Sequence, residues 1–154
     1  MVHRTVTTHE ESDLVRLGVQ EMLLNDDRFD VVSGRHADLI LVDPFPPSES
    51  SAAMALKRLS MAAKHGSIVV AYTVNPSTRA RILAVSFGSA GVADKLWGPK
   101  TLGDYLERVA HSPEDADMPF GSNRRKRRVV QLLAQGGTNR AIANVIHVSE
   151  ETVK

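Results

Sequence analysis

Cysteine is absent from all 154 residues. That removes disulfides and thiolate metal sites from the chemistry open to the chain. No apolar run approaches the roughly 20 residues needed to span a bilayer. The first residues, MVHRTVTTHEESD, contain no apolar signal region. No internal repeat is visible, and the six histidines (His3, His9, His36, His65, His111, His147) are scattered without metal-ligand spacing. These absences leave a soluble, cytoplasmic protein without a membrane partner as the expected class.

What is present is enough for a core. The apolar fraction is 42%, and the length accommodates one ordinary domain or a domain of about 110–120 residues with a small module. Charge divides the chain. Residues 121–154 carry seven Lys/Arg against two acids, leaving twelve basic and sixteen acidic residues in 1–120. A mildly acidic body with a basic tail points to a polyanionic partner for the tail.

Short apolar runs alternate with helical patterns. TVTT (5–8), FDVV (29–32), LILV (39–42), IVVAY (68–72) and GVAD (91–94) read as strands. Leu14, Val15, Gly18, Val19, Met22 and Leu23 mark an amphipathic helix with Ser12 as its N-cap. Residues 52–63, 77–87 and 99–110 read as further helices. Gly88 ends the second of these, and Pro99 starts the third at the position helices favour for proline. Strands alternating with helices imply an α/β fold with a parallel sheet covered on both faces. One connection is irregular. Only SGRHAD separates FDVV from LILV, whereas a crossover between parallel neighbours needs a dozen residues or more. Either a helix is missing there, or the two strands are antiparallel or not adjacent. The segment HSPEDADMPFGS (111–122) reads as a linker.

In an open α/β sheet, ligands bind beyond the carboxyl ends of the strands. His9, Glu10 and Glu11 follow the first strand, Asp43 follows LILV, Thr73 follows IVVAY and Lys95 follows GVAD. Carboxylates so gathered can hold a hard divalent cation, and one of them can act as a nucleophile that yields an acyl phosphate. An ammonium and a hydroxyl supply contacts to phosphoryl oxygens. Taken singly, each residue also has a structural role open to it, such as capping a helix or a turn.

This order of residues resembles the receiver domain of two-component response regulators: an acid pair, Asp43 with Pro47 four residues on, Thr73, then Lys95. EESDLVRLGVQEMLL and KLWGPKTLGDYLERV are similar to the corresponding segments of the NarL/LuxR-type subfamily. The resemblance covers most of 1–110 and implies a receiver-like, flavodoxin-like parallel sheet with a shortened or missing second helix. It further implies phosphorylation of Asp43 by a sensor histidine kinase. Glu10, Glu11, Asp43 and the Phe45 carbonyl would bind Mg²⁺, and Thr73 and Lys95 would sense the phosphoryl group. The chain departs from the family in having two glutamates where aspartate is usual. It also has Val92 where an aromatic residue is common, three positions before the lysine.

The tail RRKRRVVQLLAQGGTNRAIANVIHVSEETVK reads as three short helical segments. Asn123, Thr138 and Ser149 are N-caps, Gly136 and Gly137 a stop, and His147 and Val148 a tight turn. TNRAIA followed by VSEETVK resembles the LuxR-type helix-turn-helix, a small all-α DNA-binding domain, over 123–154. The resemblance implies DNA contacts from Thr138, Asn139, Arg140, Thr152 and Lys154, and a homodimer. Family members continue about ten residues further through the recognition helix, so the chain reads as truncated within that helix, with weak and salt-sensitive DNA binding. The expected function is a non-enzymatic, DNA-binding response regulator controlled through Asp43. Two alternatives remain at this stage: a phosphorylation-independent regulator gated by dimerisation or a ligand, and a small metal-dependent phosphohydrolase.

Overall fold

A computed structural model describes residues 3–34, 36–44, 61, 66–74, 76, 80–81, 84–85, 88–113 and 140. Along the chain these form β1 (Arg4–His9), α1 (Asp13–Leu24), β2 (Phe29–Val31), β3 (Leu39–Val42), β4 (Ile68–Thr73), β5 (Gly91–Asp94) and α2 (Pro99–His111). The strands make one parallel sheet in the order β2-β1-β3-β4-β5. That is the order of flavodoxin-like doubly wound sheets, whose parallel strands expect cover on both faces. β3 meets the expectation in its composition: all four residues of LILV are buried.

Alternation along the strands separates two clusters. Val6, Leu39, Leu41, Val70, Tyr72 and Ala93 face α1 and α2, packing with Val19, Leu23, Leu102, Leu106 and Val109. Ile40, Val42, Val69, Ala71 and Val92 face the opposite way and pack with Ala84. Ala84 belongs to helical positions 80–81 and 84–85, within the third expected helix. That helix ends as its glycine suggests. Gly88 has φ +102°, its N–H donates to the Val85 carbonyl, and the Ser89 N–H donates to the Ala84 carbonyl. This paired closure is the Schellman arrangement.

Ser12 caps α1, its hydroxyl accepting from the Val15 N–H at 3.4 Å. The inward stripe is narrower than the sequence suggests. Val19 and Leu23 are buried and Val15 and Met22 pack beside them, but Leu14 is 82% exposed. Leu14 lies one residue, or about 100°, off the stripe and points to solvent with Leu17 and Leu24.

The short β2–β3 connection is explained by stagger. β2 pairs with the first half of β1 (Arg4 to Val6), while β3 pairs with the second half (Val6 to His9). Val31 and Leu39 therefore both sit level with Val6, on either side of β1. The chain needs only to step across one strand, roughly 10 Å, and has no length to retrace that a helix would supply. The strands are parallel and not adjacent. Polar contacts fix the crossing to β1. The Thr7 hydroxyl donates to the Gly34 carbonyl at 3.1 Å, and Gly34 adopts φ +127°, a region that favours glycine. Asp38 and Thr5 lock reciprocally. The Asp38 carboxylate accepts from the Thr5 N–H (2.8 Å) and hydroxyl (2.9 Å), while the Asp38 N–H donates to the Thr5 oxygen at 2.9 Å.

The expected helix over 52–63, the linker 111–122 and the helix-turn-helix over 123–154 lie almost wholly outside the described residues. Within them, Met61 and Arg140 are helical positions, and His111, expected to begin the linker, is instead the last residue of α2.

Candidate functional site

Parallel pairing places the carboxyl ends of β1, β3, β4 and β5 along one edge, and the residues that leave those strands meet there. The Asp43 N–H donates to the His9 carbonyl at 3.3 Å, which continues the β1–β3 ladder one residue past its end. Glu10 turns back over the start of α1, one oxygen accepting the Ser12 N–H at 3.2 Å. A carboxylate at a helix N-terminus is favoured by the unpaired amides there.

Lys95 arrives from the other side. Its N–H donates to the Thr73 carbonyl at 3.0 Å. The Asp94 carboxylate accepts the Leu96 N–H at 2.9 Å, a turn that swings the chain off β5. The Lys95 ammonium then lies 2.6 Å from the Asp43 carboxylate and 2.5 Å from that of Glu10. All three side chains are removed from water: Glu10 is 3% exposed, Asp43 5% and Lys95 11%. Burial works against the Lys95 charge, but the Asp43 and Glu10 carboxylates outweigh it and hold the ammonium above the ordinary lysine pKa.

Tyr72 completes the arrangement, and the sequence reading had not singled it out. Its ring centroid is 5.8 Å from the Lys95 nitrogen, within cation–π range. Burial, then the charges of Glu10 and Asp94, push its phenol up to about 12. The available signal was parity: Tyr72 faces the α1/α2 side of the sheet, as do the residues leading to Glu10, Asp43 and Lys95. Thr73 alternates with Tyr72 and belongs with Val69 and Ala71 on the opposite face. It is buried, and its carbonyl fixes the Lys95 backbone.

Of the expected site, the fold therefore brings Glu10, Asp43 and Lys95 into direct contact and ties Thr73 to Lys95 through the backbone. Glu11 is exposed, and Phe45 lies outside the described residues. Glu10 and Asp43 are oxygen donors of the kind Mg²⁺ takes, but both already bind the Lys95 ammonium. Among the described residues no three His, Cys, Asp or Glu are grouped to hold a metal ion. As folded, the set does not fit Mg²⁺ unless Lys95 moves. The expected DNA-contacting residues Thr138, Asn139, Thr152 and Lys154 lie outside the described residues, and Arg140 is an exposed helical position.

A second cluster joins α2 to the α1–β2 turn. The Arg28 guanidinium contacts Asp26 (2.6 Å), Asp104 (2.9 Å) and Glu107 (2.7 Å). Trp97 stacks edge-on against Tyr105 at 5.0 Å, which anchors the segment following Lys95 to α2. No helix among the described residues is long and apolar enough to cross a membrane.

No protein-family model and no curated protein sequence matches the chain. Solved structures do. The response regulator ChrA of a heme-sensing two-component system is similar over 99% of this chain and 86% of its own, at 20% identity and TM-score 0.58. The signal receiver domain of the putative response regulator NarL from Mycobacterium tuberculosis is similar over 73% of this chain and 99% of its own, at 13% identity and TM-score 0.59. RcsB, in a structure of two RcsB dimers bound to two parallel DNAs, is similar over 98% of this chain and 86% of its own, at 15% identity and TM-score 0.59. The five-stranded parallel sheet, with Asp43 and Lys95 at its carboxyl edge, thus has a receiver-like, flavodoxin-like fold similar to that of these response-regulator structures.

Proposed function

We propose that the chain is a transcriptional response regulator in which the Glu10–Asp43–Lys95 edge receives the signal and residues 123–154 carry the DNA-binding output. The observation that supports this most is the 2.6 Å contact between Asp43 and Lys95 at the carboxyl edge of the sheet. The two groups come from separate strand ends and meet where such folds do their chemistry. Asp43 is the phosphoryl acceptor: a carboxylate oxygen attacks phosphorus, the bond from phosphorus to the donor breaks, and the donor leaves with the electron pair. Lys95, already in contact with Asp43, supplies positive charge to the incoming phosphoryl oxygens. Thr73, on the strand tied to Lys95, senses the change. A sensor histidine kinase is the proposed donor and a homodimer on DNA in the cytoplasm the acting form; Mg²⁺, the cofactor the sequence resemblance implies, would enter this edge only by displacing Lys95 from Glu10 and Asp43. DNA contacts are assigned to Thr138, Asn139, Arg140, Thr152 and Lys154.

The test is labelling with acetyl phosphate and Mg²⁺. The native chain takes up phosphoryl label and Asp43→Asn does not. Equal labelling of both, or none of either, overturns the assignment.

One observation favours a second reading. Lys95 binds Glu10 as well as Asp43, so the edge holds its own counter-charge without a phosphoryl group. A regulator gated by dimerisation or a ligand would retain this contact permanently, and absence of label on the native chain would select it.

A further inference from the structure

Two buried carboxylates facing each other need a cation between them, because the cost of leaving like charges together away from water is several kcal/mol. Here the cation is covalent. The Lys95 nitrogen touches both Glu10 and Asp43, and the Tyr72 ring covers it. Glu10 is held for the task. Its other oxygen is engaged by the Ser12 N–H, and its side chain, one methylene longer than aspartate, spans the distance to the ammonium. Lys95 is held as well, by its backbone bond to Thr73 and the Asp94 turn that follows β5. Mg²⁺ demands near-ideal octahedral geometry and sheds water reluctantly. It would have to break two short ion pairs to enter a space that an ammonium already fills.

We infer that Lys95 is the resident cation of this edge, taking the place of a divalent ion between Glu10 and Asp43. Mg²⁺ binds only by expelling it, and a true divalent site appears when the ammonium is removed. This deepens the regulator reading and rests on it only for what the edge is used for.

The test is Mg²⁺ titration of the full chain and of Lys95→Met, followed by Trp97 fluorescence and thermal midpoint. The native chain shows no saturable response in the millimolar range. Lys95→Met binds Mg²⁺ at least about tenfold more tightly, a difference of roughly 1.4 kcal/mol. Native binding as tight as that of the variant, or a folded variant with no gain, overturns the inference. A second measurement needs no variant. Without Mg²⁺, Lys95 of the native chain resists reductive methylation while the exposed Lys100 is modified, and methylation of Lys95 as fast as that of Lys100 overturns the inference. Loss of acetyl phosphate labelling at Asp43 bears on the regulator reading alone. Magnesium affinity and lysine protection bear on the inference alone.

Discussion

A β-carbon on Gly103 of α2 would meet the Asp26 carboxylate and the Arg28 guanidinium, the far ends of two side chains that must shift to admit it. In an exposed helix, alanine would be favoured over glycine by up to about 1 kcal/mol. Here the added methyl must shift the Asp26 carboxylate and the Arg28 guanidinium, which Asp104 and Glu107 hold in place. We expect Gly103→Ala to destabilise the native chain by about 1–2 kcal/mol in denaturant unfolding. In an Arg28→Ala background Asp26 loses its anchor and can swing aside, so the same substitution stabilises by about 0.5–1 kcal/mol. An unchanged sign in the two backgrounds would show that the guanidinium is not what excludes the side chain.

Removing Lys95 and removing Asp43 have unequal consequences. Lys95→Met leaves two carboxylates buried together with no cation, and we expect a loss of about 3–5 kcal/mol. Asp43→Asn leaves one carboxylate and one ammonium in contact, a balanced pair, and we expect stability within about 1 kcal/mol of native. Chemical denaturation of both variants measures the asymmetry. Equal losses would mean that the charge count at this edge does not govern its stability.

The lock between Thr5 and Asp38 stands where a helix would otherwise connect β2 to β3. Asp38→Ala removes two acceptor contacts from the carboxylate and strands the Thr5 N–H. A cost of about 1–2 kcal/mol follows, with faster hydrogen exchange at the Thr5 amide while the β4 amides stay protected. Uniform loss of protection across the sheet would contradict a local role.

Stability should fall at both ends of the pH scale, for different groups. The Asp26 carboxylate is held below its ordinary value of 3.8, first by the hydrogen bond from the Arg28 side chain. Its contribution is present above 3.8 and is lost as pH falls below that value through the folded-state pKa. Asp26→Asn removes this part of the acid slope. Tyr72 is the opposite case, since burial raises its phenol from 10.0 to about 12. Its contribution is complete below 10.0 and is lost as pH rises from 10.0 to about 12. Tyr72→Phe flattens that alkaline loss. Thermal midpoints across pH for the two variants check both signs.

Much of the α/β part of the fold was legible in the order of residues. LILV and IVVAY are continuous apolar runs of the kind only a strand buried on both faces requires, and each forms such a strand. Ser12, Gly88 and Pro99 punctuate helices for local reasons of hydrogen bonding and backbone freedom, and each does so in the structure. Glu10, Asp43 and Lys95 could be placed on a common edge because parallel strands carry their carboxyl ends to the same side. Leu14 was misplaced because adjacent apolar residues in a helix leave the exact edge of the buried stripe open until the sheet is set against it.

What sequence alone determined, then, was which segments are strands and which charged residues leave their ends, because those properties depend on near neighbours in the chain. Tertiary structure decided the rest. The stagger of β2 and β3 about Val6 let six residues replace a helix, a matter of register between distant strands. The choice of Glu10 as the second partner of Lys95, with Tyr72 beside it, depends on distances of a few ångströms between segments that share no local pattern. Charge pairing falls off steeply with distance and changes with burial, so only packing could decide which groups meet.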